Sequence, residues 1–361
     1  MGLKIVVACG GTGGHAFPGL AAAKELASRG HDVSVWMSGR DVESSVLKGW
    51  EGPVFATGAR QISLKNAFAN LCSILRCRKE MRRAKPDALL AMGSYSSLPP
   101  VLAAAGCRVP VVLHEANTVP GRAVDILSNL AKAIAISFEE TACRFPDKET
   151  VLTGLPVRAD IAGQPRLEEV PEDAFCVFVT GGSQGAHRVN EIASKALVLL
   201  GRELSKIGRK LHVIHQTGAK DAEWVAKAYA DAGVLARVNA FEYEMGRAMA
   251  TADVVVARAG ASTCFELALT GCPAFLIPLP SAMRNHQHYN AAAFAARLAA
   301  AEGSQSELTA ASLSKWLFNK AMHPDSLLEM GRNMRSMAVP DAAMRVSDLV
   351  ERIAKGDGKN G

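Results

Sequence analysis

Two glycine runs stand where phosphate chemistry can be done. Gly10-Gly11-Thr12-Gly13-Gly14-His15 follows one apolar run, and Gly181-Gly182-Ser183-Gln184-Gly185-Ala186 follows another. Glycine lets backbone approach a ligand without a Cβ clash, and a helix opening directly afterwards offers unpaired N–H groups and the positive end of its dipole. The same runs also serve as plain strand-to-helix turns. His15 adds a titratable ring to the first. At a helix N-terminus the dipole favours the neutral ring, which can take a proton from a hydroxyl; the alternative is a first-turn residue bonded to neighbouring backbone.

A dinucleotide reading needs more than glycines. Gly11-x-Gly13-x-x-Ala16 fits the pattern, but the fingerprint also wants an acid at the end of the second strand to hold a ribose. That strand ends Trp36-Met37-Ser38-Gly39-Arg40, which disfavours NAD and leaves NADP open through Ser38 and Arg40. No Gly-Lys-Ser/Thr triplet follows either run, so there is no P-loop. Further polar residues close other apolar runs: His114-Glu115-Ala116-Asn117, Gly154-Leu155-Pro156-Val157-Arg158, and Arg258-Ala259-Gly260-Ala261-Ser262-Thr263 leading to Glu266. Arg158 can reach a diphosphate as a bidentate donor or stand solvated. Glu266, expected in a first helical turn, can cap that helix or grip ribose hydroxyls. His286 and His288, two apart, do not share a helix face, and no metal site is expected.

These residues need a scaffold, and the chain supplies a repeating one. Short β-branched runs (Leu3–Cys9, Asp32–Met37, Ala88–Met92, Val109–His114, Ala133–Ser137) alternate with helical patterns such as His15–Arg29 and Asn66–Ala84. After a proline-bearing stretch at 156–172 the alternation restarts with Phe175–Thr180, Leu211–Gln216, Val238–Phe241, Asp253–Ala257 and Ala274–Pro278, and 308–355 is helical in pattern. Alternation of this kind predicts α/β domains with parallel sheets. The expected division is 1–160, 161–335 and a C-terminal helical segment at 336–361.

Composition sets the bounds. The 361 residues are 49% hydrophobic and 21% charged, enough to bury about two cores and too apolar for a disordered chain. No uncharged apolar run reaches the ~18 residues of a membrane span. Eight cysteines, none in a C-x-x-C pair, and a start that runs straight into an apolar strand lead us to expect a reduced, cytosolic protein. The net charge of +6 has one source: Arg60–Lys85 carries eight cations against Glu80 alone. Leu64, Phe68, Leu71, Ile74 and Leu75 recur there at helical spacing, so this window is either an ordinary surface helix or a patch for anionic lipid. Phe68 is its one aromatic residue, which gives nucleic acid no stacking platform.

Taken together, Gly10–Gly19, His114-Glu115-x-Asn117, Gly154-x-Pro156-Val157-Arg158, Gly181–Ala186, Arg258 through Glu266, and Gln287 with Asn290-Ala291 resemble, in order, the motifs of the MurG family. These bacterial transferases add N-acetylglucosamine to lipid I. The resemblance implies the GT-B fold, two Rossmann-like domains facing a central cleft, with a last helix returning to the first domain. It implies inverting transfer from UDP-N-acetylglucosamine to the 4-hydroxyl of the muramic acid sugar, giving lipid II, without cofactor or metal. Ser183 and its glycines would hold the donor diphosphate, with Arg158 and Ala261, Ser262 and Thr263 nearby. Glu266 would bind ribose, Gln287 and Asn117 the sugar, and Glu242 the base through its backbone. Thr12, Gly13, Gly14 and His15 would line the acceptor side, with His15 as base. The implied place is the cytoplasmic face of the cell membrane, held peripherally through Arg60–Lys85, beside other cell-wall synthesis proteins.

Three departures from the family stand out. Its Gly-Gly-Tyr-x-Ser-Gly-Pro loop, which meets the lipid-linked diphosphate, is here Gly93-Ser94-Tyr95-Ser96-Ser97-Leu98-Pro99, Ala116 replaces a glutamine, and Glu242 follows Phe241 where an apolar residue is common. Two rivals share some of these features: a UDP-N-acetylglucosamine 2-epimerase, which needs no acceptor, and a non-catalytic nucleotide-sugar-binding partner at the membrane.

Overall fold

The computed structural model describes residues 2–11, 13–39, 47, 49–158 and 160–356. It divides into two compact units, Met1–Arg158 with Val339–Gly361, and Ala159–Ala338. The chain thus leaves the first unit after Arg158 and re-enters it after Ala338.

The first unit is built on a parallel sheet of order β3-β2-β1-β4-β5-β6-β7. Its strands are β1 (Lys4–Ala8), β2 (Asp32–Met37), β3 (Val54–Ala56), β4 (Ala88–Ala91), β5 (Val111–Glu115), β6 (Ala133–Ile136) and β7 (Thr150–Leu152). The central strands are buried on both faces, which is why they read as continuous apolar runs rather than alternating ones. One face is covered by α1 (Gly13–Ser28). The other carries α2 (Ala67–Ala84) and α3 (Leu98–Cys107), through Cys77, Met81, Val101 and Ala104. A short α4 (Arg122–Leu127) follows β5.

The second unit repeats the plan with order β10-β9-β8-β11-β12-β13. Here β8 (Ala174–Thr180) is buried throughout and pairs with β9 (Lys210–Gln216) and β11 (Val254–Ala257). The outer strands are β10 (Leu235–Asn239), β12 (Ala274–Leu276) and β13 (Ala300–Glu302). Helices α5 (His187–Lys206), α6 (Ala222–Asp231), α7 (Met245–Thr251), α8 (Ala261–Thr270), α9 (His286–Ala296), α10 (Ala310–Met322) and α11 (Pro324–Ser336) complete it.

The last helix, α12 (Ala342–Ala354), belongs to the first unit. Val346, Leu349, Val350 and Ile353 form one stripe that joins the core under α1, each worth roughly 1.5–3 kcal/mol of burial. Arg29 from the end of α1 clamps it, 2.6 Å from Asp348 and 2.9 Å from Glu351.

Candidate active site

In the first unit the site begins where β1 stops. Thr12 lies outside the described residues. Gly13, Gly14 and His15 are the first three residues of α1, whose N–H groups have no partner inside the helix. The His15 ring is half-buried, with Nδ1 2.7 Å from the Met92 carbonyl just beyond β4. A carbonyl only accepts, so Nδ1–H donates and a neutral ring carries its lone pair on Nε2. That is the form a general base needs.

The loop is braced from its other side. The hydroxyls of Ser94 and Ser96 both donate to the Gly10 carbonyl. Gly11 sits at φ +116°, where a Cβ would come 2.8 Å from Ser94 Oγ. The departure from the family's Gly-Gly-Tyr loop thus has a local function: Ser94 pins the Gly93–Pro99 loop to the glycine run.

Asn117 is placed by a residue to which the motif pattern alone assigns no role. Glu115, buried at the end of β5, accepts from the Asn117 N–H at 2.9 Å and from its Nδ2 at 3.0 Å through Oε1. Its Oε2 accepts from Gly121 N at 2.9 Å. Burial pushes this carboxyl above its ordinary range, against the pull of those donors. Its neighbour His114 is fully buried and donates from Nε2 to the Gly154 carbonyl at 3.1 Å. Burial, against the pull of that bond and with a smaller push from His15, takes it down to about 4. Arg158, four residues beyond Gly154, lies 5.2 Å over the ring of Phe17 in α1. His15, Asn117 and Arg158 therefore all stand at the C-terminal edge of one parallel sheet, where open α/β sheets bind ligands.

The second unit has its own cradle at the same edge. Gly182 N–H donates to Thr180 Oγ1 at 3.1 Å and Gly185 N–H to the Gly182 carbonyl at 2.9 Å, closing a turn that leaves Ser183 exposed at its tip. Gly185 has φ +71°, and a Cβ there would come 2.0 Å from the Thr217 carbonyl. Gln216, buried at the end of β9, bridges two segments: its Nε2 donates to Gly182 O at 2.7 Å and its Oε1 accepts from Glu242 N at 3.1 Å. Ala261, Ser262 and Thr263 open α8 and carry its first N–H groups. Gln287, second in α9, accepts from Leu279 N at 3.0 Å, and buried Asn290 donates to the Ala259 carbonyl at 3.1 Å, tying α9 to the turn before α8.

Two expectations need correction. Because α8 begins at Ala261, Glu266 lies in its second turn and not its first, so a capping role falls away. Glu242, expected to meet the base through its backbone alone, keeps its side chain inside the fold: it is 1% exposed and accepts from Arg237 at 3.0 and 3.1 Å, from Asn239 Nδ2 at 2.9 Å and from Glu244 N at 2.9 Å. Its own N–H is spent on Gln216. Finally, the strand expected at Val238–Phe241 is Leu235–Asn239, which lets Arg237 and Asn239 reach Glu242.

Arg258 is also structural. Buried, it donates to the carbonyls of Ile277 and Pro278 at 3.1 Å, and burial lowers it to about 10. Glu115 and Gln216 are positioning residues that sequence reasoning misses. For Glu115 the tight spacing of Glu and Asn is a signal; for Gln216 there is none. Among the described residues no group of three or more His, Cys, Asp or Glu is placed to hold a metal ion.

Comparison with known proteins places this geometry. Residues 5–136 match the glycosyltransferase family 28 N-terminal domain and residues 176–346 its C-terminal domain. A UDP-N-acetylglucosamine–N-acetylmuramyl-(pentapeptide) pyrophosphoryl-undecaprenol N-acetylglucosamine transferase of Geobacter metallireducens is 37% identical, over 96% of this chain and 97% of its own. The transferase of the same name from Ectopseudomonas mendocina is 37% identical over 98% and 99%. The crystal structure of MurG from Acinetobacter baumannii is 32% identical with a TM-score of 0.78, covering 98% of this chain and 100% of that one. A UDP-GlcNAc 2-epimerase from Neisseria meningitidis, 14% identical with a TM-score of 0.71 over 98% and 100%, shares the fold alone. The fold is GT-B. Matched in both domains and over nearly its whole length, the chain belongs to glycosyltransferase family 28, among the MurG transferases.

Proposed function

We propose that this glycosyltransferase moves N-acetylglucosamine from UDP-N-acetylglucosamine to the 4-hydroxyl of the muramic acid sugar of lipid I, with inversion, giving lipid II. The observation that carries the chemistry is the fixed tautomer of His15. With Nδ1 donating to the Met92 carbonyl, Nε2 is the nitrogen that takes the acceptor proton. The hydroxyl oxygen then attacks the anomeric carbon, and the bond to the UDP oxygen breaks. Negative charge grows on the leaving diphosphate, and the N–H groups opening α8 and the Gly181–Ala186 turn stabilise it. Glu266 grips ribose and Gln287 and Asn117 the sugar. Transfer by this route takes no cofactor and no metal.

Among the described residues no helix is long and apolar enough to cross a membrane. Lipid I is met instead at the cytoplasmic membrane face through α2. Phe68, Leu71 and Leu75 stand 78%, 52% and 57% exposed on its outward side, and Lys79, Arg82 and Arg83 continue that side. An apolar stripe followed by cations is the pattern of an interfacial helix on anionic lipid.

The test is UDP release from UDP-N-acetylglucosamine with and without a lipid I analogue. Release that needs the analogue, with a disaccharide product, is the expected result. Conversion of the donor sugar to its 2-epimer without acceptor would replace transfer by epimerisation. Bound nucleotide with neither reaction would leave a binding protein.

A further inference from the structure

Arg284 and Asn285, the two residues that precede α9 in the second unit, both stand in the left-handed region, at φ +51° and +55°. A side chain there crowds the following carbonyl, so the conformation is normally left to glycine. Two such residues in succession, with no glycine, persist only where the surroundings impose the shape, and such strain gathers at functional sites. The side chain of Asn285 is exposed and makes no capping bond, so its contribution is the path of its backbone.

Hydrogen bonds within the segment hold that path. Ala282 N–H donates to the Leu279 carbonyl at 3.0 Å and Asn285 N–H to the Ala282 carbonyl at 2.8 Å. His286 Nδ1–H donates to the Met283 carbonyl at 2.9 Å. The segment then closes on its own root, where Leu279 N–H donates to Gln287 Oε1 at 3.0 Å. The root is nailed down as well: Arg258 holds the Ile277 and Pro278 carbonyls just before it, and Asn290 ties α9 to Ala259.

What this construction fixes is the direction of one amide. A backbone N–H only donates, so the Gln287 atom that meets Leu279 is the oxygen, and both N–H donors of Nε2 turn the other way. Among the described residues Nε2 has no partner, and a sugar hydroxyl has the lone pairs to accept from it. At ordinary φ, Arg284 and Asn285 would lead the first turn of α9 away from Leu279, and the amide would lose its orientation. We infer that the left-handed pair Arg284–Asn285 is a positioning device for the donor sugar, holding Gln287 with its N–H groups toward the sugar while touching no substrate itself. This inference rests on Gln287 meeting the donor sugar in the transfer proposed above.

Asn285→Val tests it, because a β-branched residue resists the left-handed region more than asparagine does. Calorimetry on the full chain, without acceptor, compares UDP-N-acetylglucosamine with UDP, which lacks the transferred sugar. The expected result is a Kd for UDP-N-acetylglucosamine raised about threefold to tenfold, the range for one lost hydrogen bond, with the Kd for UDP unchanged. Asn285→Gly, which takes the same φ without strain, restores the affinity. In a Gln287→Ala background Asn285→Val has no further effect, since the amide it positions is gone. Leu298→Val, at the left-handed residue beyond the other end of α9 (φ +54°), leaves both affinities as they were. Unchanged sugar-nucleotide affinity in Asn285→Val overturns the inference, as does equal weakening of UDP. Failure of Asn285→Gly to restore binding overturns it too, because the asparagine side chain and not the turn would then be at work. Effects of Asn285→Val and Gln287→Ala that multiply would show that the turn does not act through Gln287. If the variants behave as expected but no sugar reaches a lipid I analogue, the transfer reading fails and the positioning of the sugar stands.

Discussion

The loops Gly10–His15 and Gly181–Ala186 both join a first buried strand to a long helix, and both are held by side chains from neighbouring strand ends. What they present differs. The first delivers a histidine into the opening turn of α1, with Nδ1 tied to Met92 so that Nε2 carries the lone pair. The second closes a turn of bare amides and a serine hydroxyl, locked from behind by Gln216. In the transfer proposed above, one loop takes a proton and the other holds an anion that stays where it is. A repeated strand-turn-helix has become two chemical tools through the residue placed after its last glycine, His15 in one and Ala186 in the other.

The largest effect that would break this comparison is at His15. His15→Ala should lower kcat by about 10²- to 10⁴-fold, the range for loss of a general base, and leave UDP affinity unchanged. Gly185→Ala should do the reverse. Its Cβ would lie 2.0 Å from a carbonyl, so the cradle must shift and donor affinity should fall while bound substrate still turns over. Steady-state kinetics with both substrates varied separates the two. If His15→Ala moved only the donor KM, the loops would have no such division of labour.

A smaller effect sharpens the account of the second unit. Glu242 and Glu266 are both candidate ligand residues by sequence, but only Glu242 is sealed against Arg237. Glu242→Ala takes away the bidentate partner of a guanidinium that still keeps Glu169 and Glu244, and leaves the Asn239 and Glu244 donors unpaired, so it should destabilise the second unit by about 1–3 kcal/mol. Glu266→Ala should leave urea unfolding unmoved and raise the donor KM. Equal stability loss in both would return Glu242 to the surface of the site.

The sequence makes the interior strands legible and the edges hard to see. In β8, Ala-Phe-Cys-Val-Phe-Val-Thr is buried on both faces and stands out as an unbroken apolar run. The short strands Val54–Ala56, Thr150–Leu152 and Ala300–Glu302 have three residues each, lie at or next to sheet edges and carry no run to notice. Among site residues, those beside glycines can be found because a turn has a local signature. Gln216 cannot, since its function exists only when β9 is laid beside β8 and the chain returns at Glu242. The side chain of Glu242 is equally invisible in the sequence, and only the fold shows Arg237 meeting it from five residues earlier.

Each unit also keeps one neutral histidine fully buried behind its glycine loop, and these give the two units a shared response to acid. Burial lowers His114 to about 4 and His215 to about 3, from an ordinary value of 6.5, and buried His212 moves the same way. A base with a depressed folded value binds its proton later than the unfolded chain does. Between about pH 6.5 and the folded value the unfolded state therefore holds more protons, and stability falls as pH falls. From pH 7.5 to 5 the loss should be on the order of 2 kcal/mol for each fully buried ring. Urea unfolding across that window should show it. His215→Gln should flatten the slope of the second unit and His114→Gln that of the first. The two rings are held differently: His215 has Tyr229 on one nitrogen and Asn190 on the other, whereas His114 has Gly154 on one and no partner on its buried Nδ1. Glutamine can renew part of the first set and only one bond of the second. His114→Gln should therefore cost less stability at pH 7.5 than His215→Gln, though both remove the same acid sensitivity.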